Sequence, residues 1–356
     1  MRGNEVTQAA VCCGLVVILA EPITIPVLRR LAAIDTPGLR SSHSVPTPRG
    51  GGVPIVAGLL VAMALVRGAP AVPFGAAVGF FGALGFADDL RGLTPRRRLA
   101  LQAVGSAGVA ALLAVSLRLP PALLAAAAIV TAVWLIGFIN AFNFMDGVNG
   151  ISAAHAMIAG IAFACFGETR QDPFLVASGL AVAAGALAFL PWNAVRARVF
   201  LGDVGSYALG AALAVLAVRA ATDGTPVEAV LTPVALYLAD TAWTLQRRIR
   251  AGERWLEAHR THIYQRWCDA GWSHQEVTLL TAATSVLLIL LGAVSLSGNL
   301  AARGLADLIA IGVLAGYLHS PTVFRRLGLH GPAAQPTVPA QVPAARLEPE
   351  LQGKPG

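Results

Sequence analysis

"VWLIGFINAFNFMDGVNG", residues 133–150, passes abruptly from an unbroken apolar run to three asparagines, one aspartate and two glycines. The apolar run has no polar face of the kind a surface helix of a soluble domain needs. Extended upstream to about residue 119, it is long enough to cross a bilayer. The same pattern recurs along the chain: apolar segments over 5–27, 51–67, 70–87, 99–117, 119–139, 150–167, 173–191, 205–221, 226–245, 277–297 and 300–318, separated by short stretches rich in Arg, Asp, Gly and Pro. With 56% hydrophobic and 13% charged residues and a mean hydropathy of +0.67, the composition excludes an ordinary soluble domain. The chain reads as an all-α integral membrane protein, a polytopic bundle of about eleven transmembrane helices over residues 1–330. Residues 331–356 are Pro- and Ala-rich without periodicity and read as a disordered tail.

Orientation follows from the basic residues, which are retained on the cytoplasmic side of short loops. Arg29, Arg30, Arg40 and Arg49 follow the first segment, and Arg91 and Arg96 to Arg98 follow the third. Arg196 and Arg198 follow the seventh, and six arginines between Arg247 and Arg266 follow the ninth. The even loops hold little beyond Arg67, Arg118, Arg170 and Arg219. The N-terminus is therefore expected outside, with the odd loops and the C-terminus inside. The net charge of +7 belongs to the inner loops and suits anionic headgroups or substrates. Nucleic acid is not an expected partner, because no basic segment is interleaved with aromatics. Cys12, Cys13, Cys165 and Cys268 lack metal or redox spacing and read as packing residues. The first apolar run lacks a small-residue cleavage site, so it reads as a span rather than a leader.

The polar clusters all fall in odd loops. Asp88 and Asp89 end the third segment, where a buried acidic pair either binds a cation or is neutralised by Arg91 or Arg96 to Arg98. "FLGDVGS", 200–206, sets Asp203 between glycines at the start of a helix, as a phosphate or metal site or simply as an N-cap. Asp146 is open to the same two readings, since Asp-Gly is common turn chemistry. "HRTHIYQR" spaces His259 and His262 three apart with Arg260 between them, better suited to a pyrophosphate than to a metal. Together the clusters suggest Mg²⁺-dependent handling of a phosphorylated substrate, Mg²⁺ needing one or two carboxylates beside substrate oxygens.

Five motifs in order, "HSVPTPRGGG", "ADDLRGL", "NAFNFMDGVNG", "VFLGDVGSYALG" and "HRTHIYQR", resemble those of the polyprenyl-phosphate N-acetylhexosamine-1-phosphate transferases, glycosyltransferase family 4. The last motif looks most like the O-antigen initiating branch. The resemblance implies transfer of a GlcNAc-, QuiNAc- or FucNAc-type sugar 1-phosphate from its UDP-sugar to undecaprenyl phosphate in the bacterial inner membrane. It implies Mg²⁺ as cofactor, with Mn²⁺ as a substitute. By position it makes Asp203 the principal metal ligand, helped by Asn143 and Asp88, and makes Asp88 and Asp89 catalytic with it. It places Asn140, Asn143, Asp146, Asn149 and Asn193 around the nucleotide sugar, with His259, Arg260 and His262 on pyrophosphate and sugar. The expected partners are both substrates and the bilayer, and a homodimer is compatible. His43 and Thr47 match a motif to which no role is attached.

This chain departs from the family at one position. The usual Asp-Gly-x-Asp-Gly is here "DGVNG", with Asn149 where the resemblance implies a contact to uracil. An aspartate only accepts hydrogen bonds, whereas an amide also donates and can pair with the N3–H and carbonyls of the base. The competing reading from another class is a transporter or flippase of polyprenyl-linked sugars, which calls for charges at mid-span and polar sites reachable from both faces.

Overall fold

A computed structural model describes residues 3–36, 45–66, 68–115, 120–253, 260–329 and 331. His43, His259 and the tail after residue 331 lie outside the described residues. Among the described residues twelve α-helices follow one another: α1 (Gly3–Arg30), α2 (Val53–Leu65), α3 (Ala71–Arg91), α4 (Pro95–Ala114), α5 (Pro121–Phe144), α6 (Ile151–Arg170), α7 (Pro173–Asn193), α8 (Gly202–Thr222), α9 (Val227–Arg250), α10 (Ile263–Asp269), α11 (His274–Ala293) and α12 (Leu300–Arg326). All but α10 coincide with the eleven apolar segments. Eight of them are long and apolar enough to cross a membrane.

The departures have local causes. α1 is helical over 28 residues despite Pro22 and Pro26, about 42 Å at 1.5 Å per residue, so the first segment is a full-length span. α4 starts in the arginine-rich loop because the Thr94 hydroxyl accepts from Arg97 N–H and Pro95 occupies the first turn, where its missing N–H costs nothing. α2 has only 13 residues, shorter than the apolar segment 51–67 that contains it. α10 is too short for apolar periodicity to announce it.

α8 is the centre of the bundle, with every residue from Val204 to Ala217 buried. Small residues let its neighbours approach closely, as they do between helices that cannot rely on a hydrophobic drive in lipid. Gly85 of α3 lies against the backbone of Asp203 and Val204, and Gly210 of α8 lies against Ile139 and Phe142 of α5. Gly160 and Gly179 meet in the same way between α6 and α7. Cys13 packs against Gly58 and Gly185, consistent with a role in packing.

The odd loops meet at one end. Strand β1 (Ile34–Asp35) pairs antiparallel with β2 (Thr47–Pro48), and the residues that follow are tied to the segment before α8. Phe200 N–H donates to Pro48 O (2.8 Å), while Gly50 and Gly51 N–H both donate to Phe200 O (3.2 and 2.9 Å). At the opposite end the α2–α3 turn and the ends of α3, α4, α5, α8 and α9 line a cavity of about 820 Å³ with an almost wholly apolar surface, including Leu112, Val130, Trp134 and Val230.

A methyl group at Gly85 would overlap the Asp203 carbonyl, whereas one at Gly75 on the same helix meets nothing within 4 Å. Gly85→Ala is expected to lose about 1–3 kcal/mol through overpacking. Thermal unfolding in detergent should show a lowered midpoint for Gly85→Ala and no loss for Gly75→Ala; equal midpoints would contradict the close α3–α8 contact.

Candidate active site

A polar cavity of about 300 Å³ lies where the odd loops converge, at the lower end of ligand-cleft sizes. Loop one contributes Asp35 and Arg49, the end of α3 Asp89, the end of α5 Asn143, and the α5–α6 connection Asp146 to Asn149. Asn193 ends α7, Phe200 and Leu201 come from the α7–α8 connection and Gly202 and Asp203 from the start of α8, with Gln265 from α10 and His274 from α11.

The two aspartates of "ADDL" have different duties. α3 ends at Gly92, whose φ of +62° reverses the chain so that Leu93 N–H donates to Asp88 Oδ1 (2.7 Å). Tyr207 O–H donates to Asp88 Oδ2 (3.0 Å), and Arg98 Nε stands 2.7 Å from the same oxygen. Asp88 is thus enclosed by protein and does not line the cavity. Asp89 turns the other way and accepts the N–H groups of Asp203 and Val204 on its two oxygens, both at 3.0 Å. It is the cap of α8, supplied from α3. Gly202 makes room for it: with φ +75°, a Cβ there would lie 2.6 Å from Asp89 Oδ2.

Asp203 is therefore not an N-cap, and its carboxylate turns towards the cavity. Asn143 Nδ2 donates to Asp203 Oδ1 (2.8 Å) and Ser206 Oγ (2.9 Å), while Arg98 Nη2 stands 3.9 Å from Asp203 Oδ2. Asp146 lines the same cavity. Burial, and then the nearby Asp203 charge, push its carboxyl up to about 7.

Asn193 acts as a clasp, its Oδ1 accepting from Gly150 N–H (2.6 Å) and its Nδ2 donating to Val199 O (3.0 Å). Asn149 is held by its backbone: its N–H donates to His274 Nδ1 (3.4 Å) and its carbonyl accepts from Thr278 Oγ1 (2.8 Å). Tyr264 O–H closes the loop from the other side by donating to Phe144 O (2.9 Å).

Besides Asp88, three more of the expected site residues stand elsewhere among the described residues. Asn140 donates to Gln102 Oε1 (2.7 Å) and Ile136 O (2.8 Å), joining α5 to α4 away from the cavity lining. His262 is buried, its Nδ1 2.9 Å from Asp240 Oδ1, in a network where Asp240 also accepts from Tyr317 O–H (2.8 Å) and Ile263 N–H. Arg260 pairs with Asp269 at 3.2 Å. Conversely, Asp35, Arg49, Gln265 and His274 line the cavity without having been singled out. Arg49 and Gln265 sit inside quoted motifs, but His274 has no local signal beyond following Ser273, which forms a capping box with Glu276.

The profile of glycosyl transferase family 4 matches residues 72–221, the interval that holds α3 to α8. The chain is 30% identical over 295 residues to decaprenyl-phosphate N-acetylglucosaminephosphotransferase of Mycobacterium tuberculosis, covering 70% of this chain and 72% of that one. It is 26% identical to a probable undecaprenyl-phosphate N-acetylglucosaminyl 1-phosphate transferase of Bacillus subtilis, over 78% and 82% of the two chains. Against phospho-N-acetylmuramoyl-pentapeptide-transferase of the same organism it is 29% identical, over 78% and 94%. These matches and the bundle define a multi-pass membrane protein with a polar site at one end. The chain belongs to glycosyl transferase family 4.

Two outcomes test the geometry. Asp89→Ala removes two hydrogen bonds to an acidic acceptor and is expected to cost on the order of 3 kcal/mol. Asp89→Asn retains one acceptor and should cost less, which thermal unfolding of the two variants checks. The second concerns Asp146, whose folded-state pKa of about 7 exceeds the ordinary 3.8. Its ionisation opposes folding, so in chelator the stability contributed below pH ~4 is lost as pH rises towards ~7. Asp146→Asn should flatten that part of the profile; an unchanged slope would refute the assignment.

Proposed function

We propose that the protein transfers an N-acetylhexosamine 1-phosphate from a UDP-sugar to undecaprenyl phosphate and releases UMP. The reaction takes place at the cytoplasmic end of the bundle in a bacterial inner membrane, as the first membrane step of O-antigen or another surface polysaccharide. The observation that carries this reading is the cavity at the start of α8, lined by Asp146, Asp203 and Arg49 at one end of a bundle of long apolar helices. The names of these relatives, phosphotransferases of N-acetylglucosamine that act on decaprenyl or undecaprenyl phosphate, support a polyprenyl-phosphate acceptor and an N-acetylhexosamine phosphate as the group transferred.

Among the described residues no three His, Cys, Asp or Glu side chains converge as a metal cage. Asp203 and Asp146 nevertheless share one cavity, and Mg²⁺ characteristically takes one or two carboxylates, with substrate oxygens and water completing the shell. The donor set therefore fits Mg²⁺, held by Asp203 and Asp146, rather than a dedicated protein site. Asn143 orients Asp203 through its amide. Asp88 and Asp89 contribute by fixing Arg98 and α8. The bound ion would screen the charge of the phosphates that must approach one another.

The chain's own residues hold the two anions in line at the membrane surface, which converts an encounter in two phases into an intramolecular approach. An oxygen of the lipid phosphate forms a bond to the phosphorus that bears the sugar, and the bond from that phosphorus to the bridging oxygen breaks. UMP leaves with the bridging oxygen and its electron pair. The transfer is a single displacement, with no protein-bound sugar phosphate. One-sided placement of the polar groups, against an apolar cavity at the other end, favours this reading over a transporter.

Purified full-length protein with undecaprenyl phosphate, Mg²⁺ and a panel of UDP-N-acetylhexosamines is expected to release UMP with at least one donor. Asp203→Asn should lower the rate by at least ~100-fold, the scale of losing a charge that acts in the transition state. No UMP from any donor would sink the transferase reading, and full activity in Asp203→Asn would sink the role of Asp203.

A further inference from the structure

Arg49 is the one guanidinium or ammonium among the described residues that line the polar cavity, and it shares that lining with Asp35, Asp89, Asp146 and Asp203. It is held at both ends. Its own N–H donates to Ala33 O (2.9 Å), and the next three N–H groups, of Gly50 to Gly52, are bound to Phe200 O and Leu201 O. At the far end its Nε and Nη2 donate to the main-chain carbonyl of Asp89 (3.1 and 2.7 Å), and Nε stands 3.8 Å from Asp89 Oδ1.

A guanidinium carries five N–H donors in a rigid plane. Two are spent on the Asp89 carbonyl, and the side chain, 36% exposed, presents the rest of its fork at the cavity wall. A purely structural tie to one carbonyl needs no permanent charge. A cavity lined by Asp35, Asp146 and Asp203, with Asp89 buried beside it, repels an anionic ligand unless a cation is fixed within it, and a planar fork matches two phosphate oxygens better than a point charge does. Arg98, the other nearby guanidinium, is turned to Asp88 and Asp203 and does not line the cavity.

Resting on the proposed function, we propose that Arg49 binds a phosphate of the nucleotide part of the donor, so that loop one, to which no role had been attached, is the seat of the leaving group's charge. Loop one thereby reads the nucleotide diphosphate.

The test is calorimetric binding of UDP and of uridine to full-length protein in detergent, with and without Mg²⁺. Arg49→Ala should weaken UDP by about tenfold or more, while uridine affinity changes by less than about twofold. Arg49→Lys keeps a donor for the Asp89 carbonyl but loses the fork, and should fall between wild type and Arg49→Ala for UDP alone. If Arg49→Ala does not fold, the Arg49→Lys comparison decides. UDP affinity equal to wild type in the folded variants, or equal losses for UDP and uridine, would overturn the inference, because docking of loop one alone predicts those results. Wild-type protein that binds neither compound would instead overturn the donor reading on which the inference rests.

Discussion

Two backbone N–H groups at the start of α8, those of Asp203 and Val204, are bound by one carboxylate from another helix, Asp89 of α3. A helix start needs such acceptors and favours negative charge. Had Asp203 capped its own helix, its oxygens would have been tied to the backbone. Because the cap arrives from α3, Asp203 is released to face the cavity. The same contact fixes how α3 and α8 lie side by side, with Gly85 and Gly202 removing the side chains that would keep them apart. Arg49 then bonds the carbonyl of the capping residue, and Arg98 bonds its sequence neighbour. Loop one, α3, α4 and α8 are thus joined through two consecutive aspartates.

The fold was largely legible because lipid demands long apolar segments, and that demand is written residue by residue in the chain. Its legibility ended where a helix took in polar residues, as α4 did at Pro95 to Arg98 and α9 did through Arg250. The loops of the site were legible too, since loop one and the α3, α5–α6, α7–α8 and α10 segments all contribute to one cavity. Which side chain in each motif would face it was not. Adjacent residues on a helix point about 100° apart, so Asp88 and Asp89 were never placed to share one ligand. Asn140 and Asn143 lie a turn apart, and that turn separates a neighbour in α4 from one in α8. The partner of His262, Asp240, belongs to α9, and nothing in "HRTHIYQR" foretells it.

Asp35 and Arg49 reach the cavity from loop one and Asp89 and Asp203 from the α3–α8 contact, whereas Asp146 and the uncharged Asn149 come from the α5–α6 connection, Gln265 from α10 and His274 from α11. Asn149 stands three residues after Asp146, at the position where the resemblance implies an aspartate. Its backbone is fixed by His274 and Thr278, so its orientation does not depend on the side chain. Exchanging carboxylate for amide there keeps an acceptor, adds two donors and removes one negative charge from a cavity that already holds four carboxylates. The loss of charge favours an anionic ligand in a site with a single fixed guanidinium. The backbone clamp explains how the exchange leaves the loop in place.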